Sequence, residues 1–186
     1  MPIRNTETAY GLPSQILHWG MAGVIALCFV VGLGLEGLPK GDLKGLAYGF
    51  HKSLGVLAIL LLALRLAWRV SNPVPQTPKT GPLWAERAAK LAHGALYLLM
   101  LGVPVSGLLM SFANGKPVTF FGLFALPPVI GPDKQLKHLF EEMHEATANG
   151  LLLLVGLHVA AALWHRIVLK DGVLGRMLPT AWLERA

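Results

Sequence analysis

The sequence is poor in charge. Only 14% of its 186 residues are Asp, Glu, Lys or Arg, against about 25% in an ordinary soluble domain. With 54% hydrophobic residues and a mean hydropathy of +0.55, a single soluble domain of this length is excluded. Cysteine is nearly absent. The one residue, Cys28, rules out an intrachain disulfide and a cysteine-built metal centre; lying inside an apolar run, it reads as a small membrane-buried hydrophobe. No internal repeat or low-complexity tract is visible. A cleavable signal is not expected either, because Met1 to Gly11 is polar and the apolar run from Ile16 is too long for a signal core.

What the chain does have is apolar length. Four segments reach the roughly 20 residues needed to cross a bilayer core, over about 14–35, 46–70, 84–112 and 135–169. Gly37-Leu38-Pro39-Lys40-Gly41 ends the first, and Asn72-Pro73-Val74-Pro75-Gln76-Thr77-Pro78 forms an extended linker after the second. Pro104 sits inside the third as an expected kink, with Gly102 and Gly107 allowing close backbone approach. The connection Asn114 to Asp133 carries Phe120, Phe121 and Phe124 and is too apolar to be solvated, so it is expected to fold back over the helix ends. The expected fold is all-α: an integral membrane four-helix bundle, with residues 1–186 as one transmembrane domain.

The net charge of +6 first suggests nucleic acid, and its placement argues against that. With four spans, the two termini and the second connection share one side. That side holds Arg4, Arg65, Arg69, Lys79, Arg87, Lys90, Arg166, Lys170, Arg176 and Arg185. The other holds Lys40, Lys44, Lys52, Lys116, Lys134 and Lys137, offset by an equal number of acids. The positive-inside rule places both termini in the cytoplasm. Membrane lipid is the expected environment, and no nucleic-acid partner is expected.

The histidines fall at matched depths. His144 and His158 lie fourteen residues apart on the last segment, about 21 Å along a helix and within about 40° of one face. An imidazole deep in an apolar helix needs a partner. Hydrogen bonds to neighbouring helices are the plain explanation; the sharper one is a haem iron at each level. At the outer level His51 meets His144. At the inner level His158 has two candidate partners, His18 and His93. His165 lies nearer the cytoplasmic surface, and His138 stands at the outer mouth. Two facing histidines at one depth can hold a b-type haem. Cys-x-x-Cys-His is absent, so such a haem is held non-covalently. Structural zinc, the rival, takes four clustered ligands rather than layered pairs. Gly20, Gly55, Gly94, Gly102, Gly107, Ala148 and Gly156 offer room for a flat macrocycle. Arg65 and Arg69 share the face of His51 at the cytoplasmic end and are candidate propionate contacts. Lys52, Lys116, Lys134 and Lys137 on the outer side are solvated cations or a lure for an anionic electron donor.

The residues carrying a family resemblance run the length of the chain. They include Leu17-His18-Trp19, Phe50-His51-Lys52-Ser53-Leu54-Gly55, Leu64-Arg65 through Arg69, Asn72-Pro73 and Ala92-His93-Gly94-Ala95-Leu96-Tyr97. Pro104-Val105-Ser106-Gly107, Gly115-Lys116-Pro117, Phe121-Gly122-Leu123, Met143-His144-Glu145, Asn149, Gly156-Leu157-His158 and His165 complete them. The sequence resembles the prokaryotic cytochrome b561 family, four-helix membrane cytochromes of the bacterial inner membrane. Where the family pattern has Trp before the outer ligand, this chain has Met143. The resemblance implies two haem b groups with His18, His51, His144 and His158 as axial positions, which resolves the inner level in favour of His18. His93 and His165 are then non-ligands near the inner haem.

Two functions follow from the resemblance. One is a stand-alone oxidoreductase taking electrons from a periplasmic donor, a small anion such as superoxide or a protein, and passing them to ubiquinone. The other is a haem b anchor subunit feeding quinone from a hydrogenase or formate dehydrogenase. Compactness and the closer motif match favour the first. Its quinone site is expected near His165, about 10.5 Å beyond His158 along the helix, where a histidine can supply protons and hydrogen bonds, with His93 a second candidate for that site. The competing role for His165, flanked by Trp164 and Arg166, is a place in the interfacial belt.

Overall fold

The computed structural model of the protein describes residues 3–76 and 82–178. Lys79 and Arg185 of the cytoplasmic cation set, with Thr77 and Pro78 of the linker, lie outside the described residues. Four long helices dominate: α1 (Leu12–Gly34), α2 (Asp42–Ser71), α3 (Leu83–Ala113) and α4 (Lys134–Trp164). All four are long and apolar enough to cross a membrane, the last counted through Leu169. Their leucines and valines, such as Val30, Leu33, Leu98 and Leu153, are exposed, as a hydrocarbon surrounding allows.

The helix ends depart from the hydropathy boundaries where capping chemistry decides them. α2 starts at Asp42 rather than near Leu46, since its first turn is polar and invisible to hydropathy. α4 starts at Lys134 because Asp133 Oδ1 accepts the Gln135 and Leu136 amides at 2.7 and 2.9 Å. At its other end the α-helix stops at Trp164 and widens into one π-helical turn, His165–Leu169, closed by Lys170 in the left-handed conformation (φ 51°). α3 passes through Pro104 as continuous helix.

The chain forms two compact units. One comprises Met21–Leu62 and Leu98–Leu151. In it the apolar connection after α3 is a small antiparallel hairpin, β1 (Val118–Phe120) with β2 (Phe124–Leu126), in register Val118 with Leu126 and Phe120 with Phe124. Val118 is fully buried against Val56 and Phe112. The turn needs two successive left-handed residues, Phe121 (φ 47°) and Gly122 (φ 75°). The first is unfavourable for Phe. Ser53 of α2 holds it in place: its hydroxyl donates to Thr119 O at 3.0 Å and accepts the Phe121 amide at 3.0 Å. Phe121 also packs edge-on against Phe50 and Phe120.

The second unit comprises Met1–Gly20, Ala63–Tyr97 and Leu152–Ala186. Asn5 joins three of its segments. Its amide donates to Pro73 O at 2.9 Å, while its Oδ1 accepts Gly11 N–H and the Ser14 hydroxyl at 2.9 and 2.7 Å. Trp68 Nε1–H donates in turn to Ser14 Oγ at 3.0 Å. Gly11 is required by close approach, because a Cβ there would strike the Ile3 carbonyl. A short 3₁₀ turn, Leu174–Met177, is tied in by Trp19 Nε1–H donating to Met177 O at 2.7 Å and by Arg176 donating to Gln76 O.

Ser53→Ala tests the hairpin anchor. It leaves the part-buried Phe121 amide without its acceptor, at a cost of about 1 kcal/mol. Amide exchange at Phe121 and Leu123 should accelerate while that of α2 is unchanged.

Candidate functional site

In the unit containing the hairpin, His51 of α2 and His144 of α4 face one another with ring centroids 6.3 Å apart. His144 Nδ1 lies 2.8 Å from Val103 O. A carbonyl can only accept, so Nδ1 carries the proton and the lone pair is on Nε2, the tautomer of a ligating imidazole. One turn further along α3 the ring rests on Gly107, where an added Cβ would sit 3.0 Å from it. His51 rests the same way on Gly32, whose added Cβ would sit 3.0 Å from Cε1. The Cys28 carbonyl lies close enough to interact with His51, yet buried Nδ1 makes no well-formed hydrogen bond.

In the other unit three imidazoles gather. His18 of α1 is 6.2 Å from His158 of α4 between ring centroids, and His93 of α3 is 5.5 Å from the same ring. His93 Nδ1–H donates to Ala89 O at 2.7 Å. Arg65 Nη2 donates to His18 Nδ1 at 3.0 Å. Arg65 and Arg69 both stand over the Tyr97 ring, 5.5 and 5.7 Å from its centroid, a cation–π arrangement. Tyr10, outside the spans, belongs to this group. Burial pushes its phenol up, against the opposing pull of Arg69. Gly20, Gly94 and Gly156 have open space where a side chain would project.

A separation test follows from metal–imidazole geometry. An iron ligated on both faces takes each nitrogen at about 2.0 Å, so coaxial ring centroids stand about 6.3 Å apart. His51 with His144 and His18 with His158 meet that spacing. His93 with His158 is shorter. Among the described residues no group of three or more His, Cys, Asp or Glu is placed to hold a metal ion, so the donor sets are pairs. The paired imidazoles and the two glycines packed against them fit a flat, two-faced ligand acceptor such as haem.

The remaining sequence candidates lie apart from these pairs. His165 Nδ1 is 2.6 Å from Asp171 Oδ2. His138 is 3.5 Å from Glu142 on an exposed helix face. Lys52 donates to Pro117 O at 3.4 Å.

The family model for prokaryotic cytochrome b561 matches residues 9–180. The chain belongs to the prokaryotic cytochrome b561 family. It is 34% identical over 180 residues to cytochrome b561 homolog 2 of Escherichia coli strain K12, covering 96% of this chain and 95% of that one. Cytochrome b561 homolog 1 of the same organism is 32% identical over 165 residues, 88% of this chain and 93% of the relative. The probable superoxide oxidase CybB of Yersinia pestis is 27% identical over 164 residues, with 88% and 92% coverage. Membership in the cytochrome b561 family implies haem b binding and membrane electron transfer. The fold class is an all-α membrane helical bundle, and four apolar helices mark a multi-pass inner-membrane protein.

Three features were missed by sequence reasoning. Gly32 was passed over because it lies in an otherwise featureless apolar run. The Val103 carbonyl has no side-chain signature at all. Asp171 lies inside Lys170-Asp171-Gly172, a stretch whose composition marks only a helix stop. Of the glycines that sequence reasoning singled out, Gly107 touches an imidazole, whereas Gly55 and Gly102 meet Pro104 and Thr147 at 3.8 Å.

The glycine contacts can be tested in pairs. Gly107→Ala should lower the thermal stability of the purified protein, because His144 is fixed by Val103 and cannot yield. Gly23→Ala, into open space on α1, should be neutral or stabilising by up to about 1 kcal/mol.

Proposed function

We propose that this cytochrome b561-family protein carries two haem b groups and passes electrons from a periplasmic donor to the quinone pool, as a superoxide:ubiquinone oxidoreductase would. The observation that carries the reading is the pair of imidazole separations, 6.3 Å for His51 with His144 and 6.2 Å for His18 with His158. One pair holds the outer haem and the other the inner. Both termini are cytoplasmic on the basic-residue count. Likeness to a probable superoxide oxidase supports the donor, and Lys52 with Lys116 supplies cationic attraction for an anion on that side.

When bound, haem supplies one-electron chemistry between ferrous and ferric iron. The protein's share is ligand orientation. His144 is already set by Val103 O. His18 is set differently: with Arg65 donating to Nδ1, a neutral ring carries its proton on Nε2. Ligation through Nε2 therefore requires Arg65 to let go of Nδ1. The guanidinium so released, with Arg69 beside it on Tyr97, is the propionate contact of the inner site. His93 stays a non-ligand, held to its own helix by Ala89 O and too close to His158 for a shared iron. With His165 it belongs to the quinone end of the protein.

Two sets of variants test the ligand assignment. His51→Ala or His144→Ala should lower the haem-to-protein ratio from about two to about one, read from reduced-minus-oxidised absorbance. Retention of two haems with unchanged spectra would defeat the outer pairing. His18→Ala should remove the inner haem while His93→Ala keeps both; the opposite result would assign the inner ligand to α3.

A further inference from the structure

The turn that follows α4 holds a side-chain pair that haem ligation does not use. His165 begins the π-helical turn, His165–Leu169, that closes the C-terminal end of the helix. Six residues on, Asp171 Oδ2 lies 2.6 Å from His165 Nδ1. The carboxylate side chain is 5% exposed and the imidazole 34%. Asp171 is itself held, because its Oδ1 accepts the Val173 amide at 3.2 Å. Lys170 in the left-handed conformation (φ 51°) and Gly172 (φ 74°) turn the chain so that Asp171 returns against the helix end. A regular α-helix carried past Leu169 would place residues 165 and 171 well over a turn apart, about 9 Å along the axis. The π turn and the left-handed stop bring them together.

A carboxylate only accepts at neutral pH, so the shared proton sits on His165 Nδ1 and the exposed edge of the ring is Nε2. This is the arrangement by which a buried carboxylate sets the tautomer of a working histidine. Resting on the quinone reading above, we propose that Asp171 is the positioning residue that aims His165 Nε2 at the quinone and makes His165 its proton donor. Reduction of a quinone to a quinol takes two electrons, supplied as two ferrous haems become ferric, and two protons. In each protonation the Nε2–H bond breaks and an O–H bond forms at a quinone oxygen. The ring is left neutral with Nδ1–H still on Asp171, and Nε2 takes its next proton from cytoplasmic water through the exposed edge. The carboxylate stays charged throughout and offsets the imidazolium before each transfer.

The test uses the haem-loaded protein in detergent, reduced with dithionite, excess reductant removed, and mixed anaerobically with a water-soluble short-tailed ubiquinone analogue. Asp171→Ala should slow haem reoxidation at saturating quinone by about 10–100-fold, the cost typical of losing an orienting partner, with haem content and spectra unchanged. Asp171→Glu should recover most of the rate. His165→Gln should be at least as slow as Asp171→Ala, and adding Asp171→Ala to it should slow reoxidation no further, since the two act as one unit. In histidine-labelled protein, the ¹⁵N shifts of His165 should report protonated Nδ1 in the wild type and a mixture of tautomers in Asp171→Ala. Wild-type rates in Asp171→Ala with slow rates in His165→Gln would overturn the role of Asp171 and leave the quinone reading standing. Additive losses, or unchanged ¹⁵N shifts, would reduce Asp171 to a structural stop. Failure of the wild type to be reoxidised by the quinone would overturn both.

Discussion

A polar group surrounded by hydrocarbon must find its partner inside the protein, and that constraint sets much of this structure. Water is not available to an imidazole, hydroxyl or carbonyl halfway along a transmembrane helix, and an unpaired one costs several kcal/mol. Several polar side chains in the spans are accordingly committed. Ser106 donates to Gly102 O and Val103 O at 2.8 and 2.9 Å, and His144 donates to the same Val103 carbonyl. Ser53 serves both its own helix and the hairpin. Among the described residues two buried side-chain atoms in the spans lack a partner, Gln15 Oε1 near the start of α1 and His51 Nδ1 beside His144. An apolar helix tolerates so costly a side chain where it carries function.

The same constraint divides the work between helix and loop. Within the spans a polar side chain finds its partner on the preceding turn of its own helix or on a neighbouring helix, and the Nδ1–H tautomer of His144 depends on one carbonyl of α3. At the helix ends longer-range partners come into reach, and there the chain builds compact knots. Asn5 gathers the N-terminal segment, the start of α1 and the linker after α2. Asp171 folds back on His165. The knots form where apolar packing is weakest, so hydrogen bonds replace burial as the ordering force.

The fold class was legible in the sequence because its signal is additive. Twenty apolar residues in a row outweigh any local exception, and Pro104 or Asn149 does not conceal the pattern. The two levels of His144 and His158 were legible for a similar reason, since a fourteen-residue spacing on one helix is arithmetic, whereas the residues alone left the partner of His158 open between His18 and His93. Orientation of side chains was less accessible. Nothing in the string shows that Arg65 reaches His18, because residues 18 and 65 lie on different helices whose relative rotation depends on packing. The hairpin was hidden because its strands are three residues each, and Phe121 breaks the rule that left-handed positions prefer glycine. The expectation that this apolar connection folds back agrees with buried Val118, but its β-form depends on Ser53, which is distant in sequence.

Asp171 shows how function can be read past a stop signal. Lys170-Asp171-Gly172 has the composition of a helix terminator, and that reading is correct as far as it goes, since α-helix ends at Trp164 and the chain reverses after Leu169. A terminator made only for geometry could use any acceptor or none. Here the reversal returns a nearly buried carboxylate to an imidazole on the preceding turn, and the helix widens to let the imidazole meet it. Burying a carboxylate is costly unless a partner repays the desolvation. A surface stop with Asn or Ser would avoid that cost. The charge at this position therefore needs a reason beyond ending the helix, and the orienting role proposed for it toward His165 supplies one.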